Sequence, residues 1–285
     1  MMAAPRVNPL QRLWLREIGI EKTWLRGPPE SASQAGESSG LAPPPPARPA
    51  SPCVSKPPEG RAGEAVPREP RPSQARPEPV TVELAAPLGA GADTARRVAD
   101  FDLARLQQEV LACTACGLCQ GRKHAVFGDG AQAARWMVVG EAPGEQEDRR
   151  GLPFVGRSGQ LLDAMLASVG MSREQDVFIA NVIKCRPPGN RNPKPEEIAA
   201  CSPYLMRQIA LLRPERILVL GRFAAQTLLG TDAAISSLRG RQHVLKTEAG
   251  REIPVVVSYH PAYLLRSPAE KARAWQDLQL ARQIA

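Results

Sequence analysis

Residues 136–159 read Trp136-Met-Val-Val-Gly-Glu-Ala-Pro-Gly-Glu-Gln-Glu-Asp-Arg-Arg-Gly-Leu-Pro-Phe-Val-Gly-Arg-Ser-Gly159. The apolar run from Trp136 to Val139 is the pattern of a short buried strand, and it stops at Gly140, where Glu141, Ala142 and a Pro143-Gly144 turn follow at once. A second carboxylate, Glu147, and a single aromatic, Phe154, stand in a segment too interrupted by Gly and Pro for helix or strand. In an open α/β sheet ligands sit outside the carboxyl ends of strands, so the loop after Gly140 is the expected floor and wall of a pocket.

Outward from this loop, apolar runs alternate with helical periodicities. Strands are predicted over 135–140, 177–184, 216–221 and 253–259, and helices over 102–112, 157–169, 195–212, 222–229 and 268–284. Pro195 and Pro268 stand near helix starts, where a missing N–H costs little. Short strands alternating with helices of ten or more residues imply an α/β fold, a central, mainly parallel sheet with helices on both faces. In that layout Glu141, Asn181 and His260 are all delivered to one rim. An aromatic plate, an amide, an imidazole and carboxylates, with no hydroxyl nucleophile paired to a base, suit a planar heterocycle: the ring stacks, the amide reads a donor–acceptor edge and the imidazole meets charge developing on a carbonyl oxygen.

More than half of the 29 prolines fall between Pro28 and Pro87, among Ala, Gly, Ser, Arg and Glu. Such a stretch has too little apolar surface to offset its ordering entropy, so residues 27–92 read as a disordered linker and 93–285 as the folded domain. Before the linker, Leu10, Leu13, Trp14 and Ile18 approximate one helical face, and residues 1–26 are expected to form a short amphipathic segment that docks on the domain or engages a protein partner. Of the net charge of +8, +6 lies beyond residue 92, which favours a polyanionic partner. Eighteen consecutive apolar residues occur nowhere, and the N-terminus carries charges where a signal peptide is apolar, so a cytoplasmic, intracellular protein without a membrane span is expected, acting as a monomer.

Cys113, Cys116 and Cys119 form C-x2-C-x2-C, with Cys185 and Cys201 far downstream. Thiols scattered in this way in an intracellular chain argue for metal before disulfide. A ferredoxin run fails because position 123 is Lys, and spacing alone leaves tetrahedral zinc and an iron–sulfur cluster equally open. Five thiols for four places leave one spare. Cys53 lies in the linker.

Taken together, C-T-A-C-G-L-C-Q-G-R from Cys113, V-F-G-D-G, G-E-A-P-G-E-Q-E-D with G-L-P-F-V-G-R-S-G-Q-L-L, N-V-I-K-C-R-P-P-G-N-R-N-P, Cys201 and H-P-A-Y-L-L-R closely resemble the family 4 uracil-DNA glycosylases, the iron–sulfur branch of the uracil-DNA glycosylase superfamily. The resemblance runs from Cys113 to about Arg266 and says nothing of the first 92 residues. It implies that Cys113, Cys116, Cys185 and Cys201 hold a [4Fe-4S] cluster, with Cys119 the spare. It also implies that Glu141, Ala142 and Pro143 line a uracil pocket and position the attacking water, beside Glu147. Phe154 would stack on the base, Asn181 would bond its amide edge and His260 would face its O2. Apart from the resemblance, the loop 186–194 holds Arg186, Arg191 and Lys194 among Pro and Gly, a composition fit for phosphate contacts. Leu264, Leu265 and Arg266 would fill the gap left by an extruded base and grip the backbone. The expected activity is hydrolysis of the N-glycosidic bond of uracil in single- or double-stranded DNA, without a lyase step. The rival readings are a non-catalytic or covalently trapping relative, which carries another residue at Ala142, and a nucleotide-binding α/β protein, for which both glycine-rich phosphate motifs are missing.

Overall fold

The computed structural model describes residues 80–83 and 90–284. The expected helix within 1–26, and the linker up to residue 79, lie outside the described residues. The first two described elements, β1 (Val80–Glu83) and α1 (Ala90–Val98), fall at the end of the stretch read as linker. β1 pairs in parallel with β6 (Gln242–Lys246), Val80 opposite His243 through Glu83 opposite Lys246, so ordered structure begins before residue 93. The local cause is legible in Val-Thr-Val, a β-favouring triplet set among prolines.

After α1 come α2 (Leu103–Ala112), a 3-10 turn at Gly117–Gln120, the two-residue β2 (Asp129–Gly130) and β3 (Trp136–Gly140). Two helices, α3 (Glu145–Arg150) and α4 (Arg157–Ser168), lead to β4 (Val177–Asn181). A 3-10 turn at Pro188–Asn190 then opens α5 (Pro195–Leu212), which is followed by β5 (Arg216–Leu220), α6 (Arg222–Leu229), α7 (Ile235–Leu238), β6 and β7 (Glu252–Ser258). The chain closes with α8 (Pro261–Arg266), a 3-10 turn at Pro268–Glu270 and α9 (Lys271–Gln283). The four predicted strands and five predicted helices are present. β4 is shorter than expected, ending at Asn181, and the last helix begins with the 3-10 turn.

The sheet order is β1-β6-β7-β5-β3-β4-β2. β7, β5, β3 and β4 run parallel, and their residues are buried almost throughout, as expected of strands covered on both faces. β6 and β2 add antiparallel pairings to β7 and β4. One core cluster includes Met137, Val139, Phe178, Tyr204, Ile209 and Val219; the other includes Trp136, Val138, Leu162, Met165, Leu218 and Leu278. Residues one apart on a strand thus face opposite layers.

The chain leaves β3 for β4 on one side, then crosses back to place β5 on the other. That reversal puts a topological switch point between the carboxyl ends of β3 and β5, where open α/β sheets form ligand crevices. Gly140 pairs with Asn181, and Leu220 pairs with Ser258, so the ends of all four parallel strands lie on one rim.

Candidate active site and thiol cavity

At the rim, Gly140 has two close neighbours. A Cβ added there would lie 2.8 Å from Phe154 Cζ and closer still to Asn181 Oδ1, so a glycine is what lets the ring and the amide approach the end of β3. Phe154 also stacks on His260, with ring centroids 5.5 Å apart and planes inclined by 29°. Phe154, Asn181 and His260, separated in sequence by 27 and 79 residues, are therefore brought together. Asn181 is 2% exposed, and its Oδ1 has no hydrogen-bond partner among the described residues. An unsatisfied buried acceptor costs about 1–3 kcal/mol, which a ligand N–H would recover.

His260 is the N-cap of α8, and its Nδ1 accepts the Ala262 N–H at 3.1 Å. With Nδ1 as acceptor, the proton of the neutral ring sits on Nε2. The ring is packed in protein, and this desolvation lowers its pKa to about 4; Arg266 pushes the same way and Glu147 opposes. Gly221, at φ 93°, has its would-be Cβ only 3.2 Å from His260 Cβ, so the switch-point turn also needs a glycine. Glu141 stands at the same switch point, half-buried. Burial raises its pKa, and the charge of Arg222 pulls it back.

Phe154 holds a left-handed backbone at φ 51°, a strained conformation for a bulky residue. Two side chains fix it. Glu147 Oε1 accepts from Val155 N at 2.9 Å and Gly156 N at 3.1 Å, while Arg173 donates to the carbonyls of Pro153 (2.8 Å) and Phe154 (3.1 Å). Glu147 thus ties down the loop that carries the ring, and its charge still reaches His260. Ala142 packs against the core and Pro143 is buried, both beneath the turn that leads to α3.

Two of the residues expected at the DNA face are engaged within the protein. Leu264 is 1% exposed and belongs to the core cluster with Leu161, Leu162 and Leu278. Helical spacing from Pro261 turns it inward, and Leu265 also packs against that cluster. Tyr263, 37% exposed, is the large apolar side chain that α8 presents outward, with Arg266 exposed beside it. Arg191 does not project freely: it makes a two-pronged ion pair with Glu197, at 2.6 and 2.9 Å, and Glu197 also accepts from Lys194 N to cap α5. Arg186 bonds Asn190 and lies 3.8 Å from Glu145. His124 and His243, which had no assigned role, are bonded to the carbonyls of Asp148 and Leu238.

A separate cavity is lined by Cys113, Cys116, Cys119, Cys185 and Cys201, together with Arg122, Lys184 and Tyr204. All five thiols are free. They come from the end of α2, the turn after it, the stretch following β4, and α5. Arg122 Nη1 donates to Cys185 Sγ at 3.0 Å, Lys184 N to Cys201 Sγ at 3.3 Å and Ala115 N to Cys113 Sγ at 3.4 Å. Burial pushes Cys201 up to about 12 and raises Cys116 and Cys185 as well, so thiolates here require a positively charged centre among them. Among the described residues no three His, Cys, Asp or Glu side chains are arranged to hold a single metal ion. Soft sulfur donors around one shared cavity, with backbone and cationic donors aimed at the sulfurs, fit a thiolate-held iron–sulfur cluster, as they fit tetrahedral zinc.

Sequence reading missed several residues that support these two sites. Arg173 had no local signal. Lys184 and Gln208 did: a lysine in the apolar run Asn-Val-Ile-Lys-Cys and a glutamine facing inward on α5 are buried polar groups that require partners.

The sheet order and its switch point define an open α/β fold with Phe154, Asn181 and His260 gathered at the carboxyl ends of its parallel strands. The family model of the uracil DNA glycosylase superfamily matches residues 127–279, and the chain belongs to that superfamily. Within it, the chain is 44% identical over 188 residues to a type-4 uracil-DNA glycosylase of Sulfurisphaera tokodaii, covering 64% of this chain and 84% of that one. It is 43% identical over 184 residues to the type-4 enzyme of Pyrobaculum aerophilum, covering 63% and 93%. A type-5 uracil-DNA glycosylase of Thermus thermophilus is 31% identical over 185 residues, covering 52% and 82%. No described helix is long and apolar enough to cross a membrane.

Proposed function

We propose that the chain is a monofunctional uracil-DNA glycosylase that hydrolyses the bond between uracil N1 and the deoxyribose C1′. It releases uracil and leaves an abasic site for later steps of base excision repair. The observation that carries this reading is the unsatisfied Oδ1 of Asn181, buried beside the Phe154 ring: it is an acceptor waiting for the N3–H of a stacked uracil. The amide's NH2 then suits the neighbouring O4.

As the glycosidic bond breaks, negative charge spreads onto uracil O2 and positive charge onto the sugar. The Nε2–H of neutral His260 stabilises that O2 by hydrogen bonding, without giving up its proton. Glu141, half-buried at the same switch point, is the carboxylate that offsets the oxocarbenium charge and orients water. The water oxygen bonds to C1′, and the proton it loses leaves through the carboxylate side. Ala142 and Pro143 shape the wall through backbone groups. No lysine faces the reacting carbon in this scheme, so the strand is not cut.

The base must leave the duplex stack first, at about a few kcal/mol, less for single strands. Tyr263 replaces the leucines as the group that occupies the emptied position, with Arg266 and Arg186 on flanking phosphates. Cys113, Cys116, Cys185 and Cys201 would hold a [4Fe-4S] cluster, whose part is to crosslink α2, the segment after β4 and α5 and to supply fixed charge. Such an enzyme works inside the cell, on DNA.

The direct test incubates the full chain with single- and double-stranded oligonucleotides bearing one uracil, followed by alkali. Strand scission only with uracil and only after alkali is expected. A covalent gel-shifted band without scission would instead mark a trapping relative, and an inert protein would dismiss the glycosylase reading.

A further inference from the structure

Lys184 is 1% exposed, between the thiol cavity and the rim that carries Asn181. Its Nζ donates to the Asn181 carbonyl at 2.9 Å and to Gln208 Oε1 at 2.6 Å, and Gln208 Nε2 passes the chain on to the Phe127 carbonyl at 2.9 Å. Its own backbone N–H meets Cys201 Sγ, and the next residue is Cys185. Both acceptors of the ammonium are neutral. One residue therefore touches both places: its backbone N–H is bonded to a sulfur lining the cavity, and its side chain is bonded to the residue at the rim.

We propose that Lys184 is a positioning residue through which the thiol cavity, once it carries its cluster, sets the orientation of Asn181 toward the uracil. The bond from the Lys184 N–H to Cys201 Sγ fixes the residue at the cavity wall. The ammonium in turn clamps the carbonyl of the residue whose side chain reads the base, at the last ladder position of β4. This rests on the glycosylase reading above and extends it: the iron–sulfur centre acts on recognition as well as on folding, by way of one side chain.

The test compares full-length wild type, Lys184→Met and Gln208→Glu, each isolated with its iron. Read out are iron and sulfide content, the midpoint potential followed by visible absorbance, inhibition by free uracil, and KM and kcat on a uracil oligonucleotide. Lys184→Met is expected to retain iron, to show a lower midpoint potential because a positive charge beside the cluster is gone, and to bind free uracil about tenfold more weakly, with KM affected more than kcat. Gln208→Glu keeps the clamp on Asn181 and gives the ammonium a carboxylate neighbour, while giving up the donor to the Phe127 carbonyl. Its potential should fall while free-uracil inhibition stays within about twofold of wild type, since the bond to Asn181 is intact.

An iron-loaded, active Lys184→Met with wild-type potential and wild-type uracil inhibition overturns the proposal. If Lys184→Met does not fold, Gln208→Glu decides: an unmoved potential overturns the coupling. A wild type that holds no iron or excises no uracil fails earlier, and refutes the functional reading.

Discussion

His260 accepts a backbone N–H at Nδ1 and is largely desolvated, so the folded state holds it neutral well below the pH at which a free histidine gains its proton. Because its folded pKa, about 4, is lower than the unfolded value near 6.5, the unfolded chain binds the proton first as pH falls. Stability from this group is complete above about pH 6.5 and is lost as pH falls toward 4, amounting to no more than about 3 kcal/mol. Thermal melts from pH 7.5 to 4 should show that decline, and His260→Asn should flatten it while lowering turnover sharply. Gly140→Ala probes the same pocket sterically, since its methyl would press on Asn181 and Phe154. A fall in kcat/KM of about a hundredfold or more, with an unchanged far-UV spectrum, is expected, as the reacting geometry tolerates little displacement. At this scale the sequence was informative where a residue ends a strand: Asn181 and His260 could be placed on the rim because strands deliver them there. It was uninformative for Arg173, whose role is to bond two carbonyls of a distant loop, a contact with no periodic trace.

α8 shows how element geometry redistributes roles among neighbouring residues. His260 caps it and Pro261 starts it, so the helical turn is fixed from its first residue, and Leu264 is directed into the core. The sequence reading recognised the segment but took its adjacent leucines for the DNA-facing pair, because six residues are too few to reveal which face is buried. Tyr263→Ala is therefore expected to reduce activity on double-stranded uracil DNA by about tenfold or more while leaving single-stranded activity nearly unchanged, since only the duplex leaves a gap to fill. Leu264→Ala should behave differently, costing about 2–5 kcal/mol of stability through a core cavity and affecting both substrates alike. Activity assays on the two DNA forms, with melting curves, separate these outcomes. α3 and α7 were missed for a related reason. They span six and four residues, short of the two helical turns over which periodicity can be counted, although the acidic first turn and basic last turn of α3 match the helix dipole.

On the scale of the molecule, the parallel centre of the sheet and the switch point could be read from the alternation of strands and helices, whereas both sheet edges could not. β2 has two residues, and β1 has four, flanked by Pro77, Pro79 and Pro87; a composition argument over a long window averages such short strands away. The edge matters for where the domain can be trimmed. Removing residues 1–76 leaves β1 and α1 whole, so such a truncation should excise uracil. Removing residues 1–92 deletes the strand paired with Gln242–Lys246 and the first turn of α1, the helix whose Arg97 bonds the Tyr204 hydroxyl at 3.1 Å on α5. Four ladder positions lost, at about 0.5–1.5 kcal/mol for each hydrogen bond, amount to about 2 kcal/mol or more. For a domain of this size that lowers Tm by roughly 4–8 °C. β6 would also be left with unpaired N–H and C=O groups, a template for association between copies. The shorter protein should therefore keep its glycosylase activity at low temperature, since the pocket lies at the ends of β3, β4, β5 and β7, yet melt earlier and aggregate on warming. Equal melting temperatures for the two truncations would show that β1 contributes nothing to the fold.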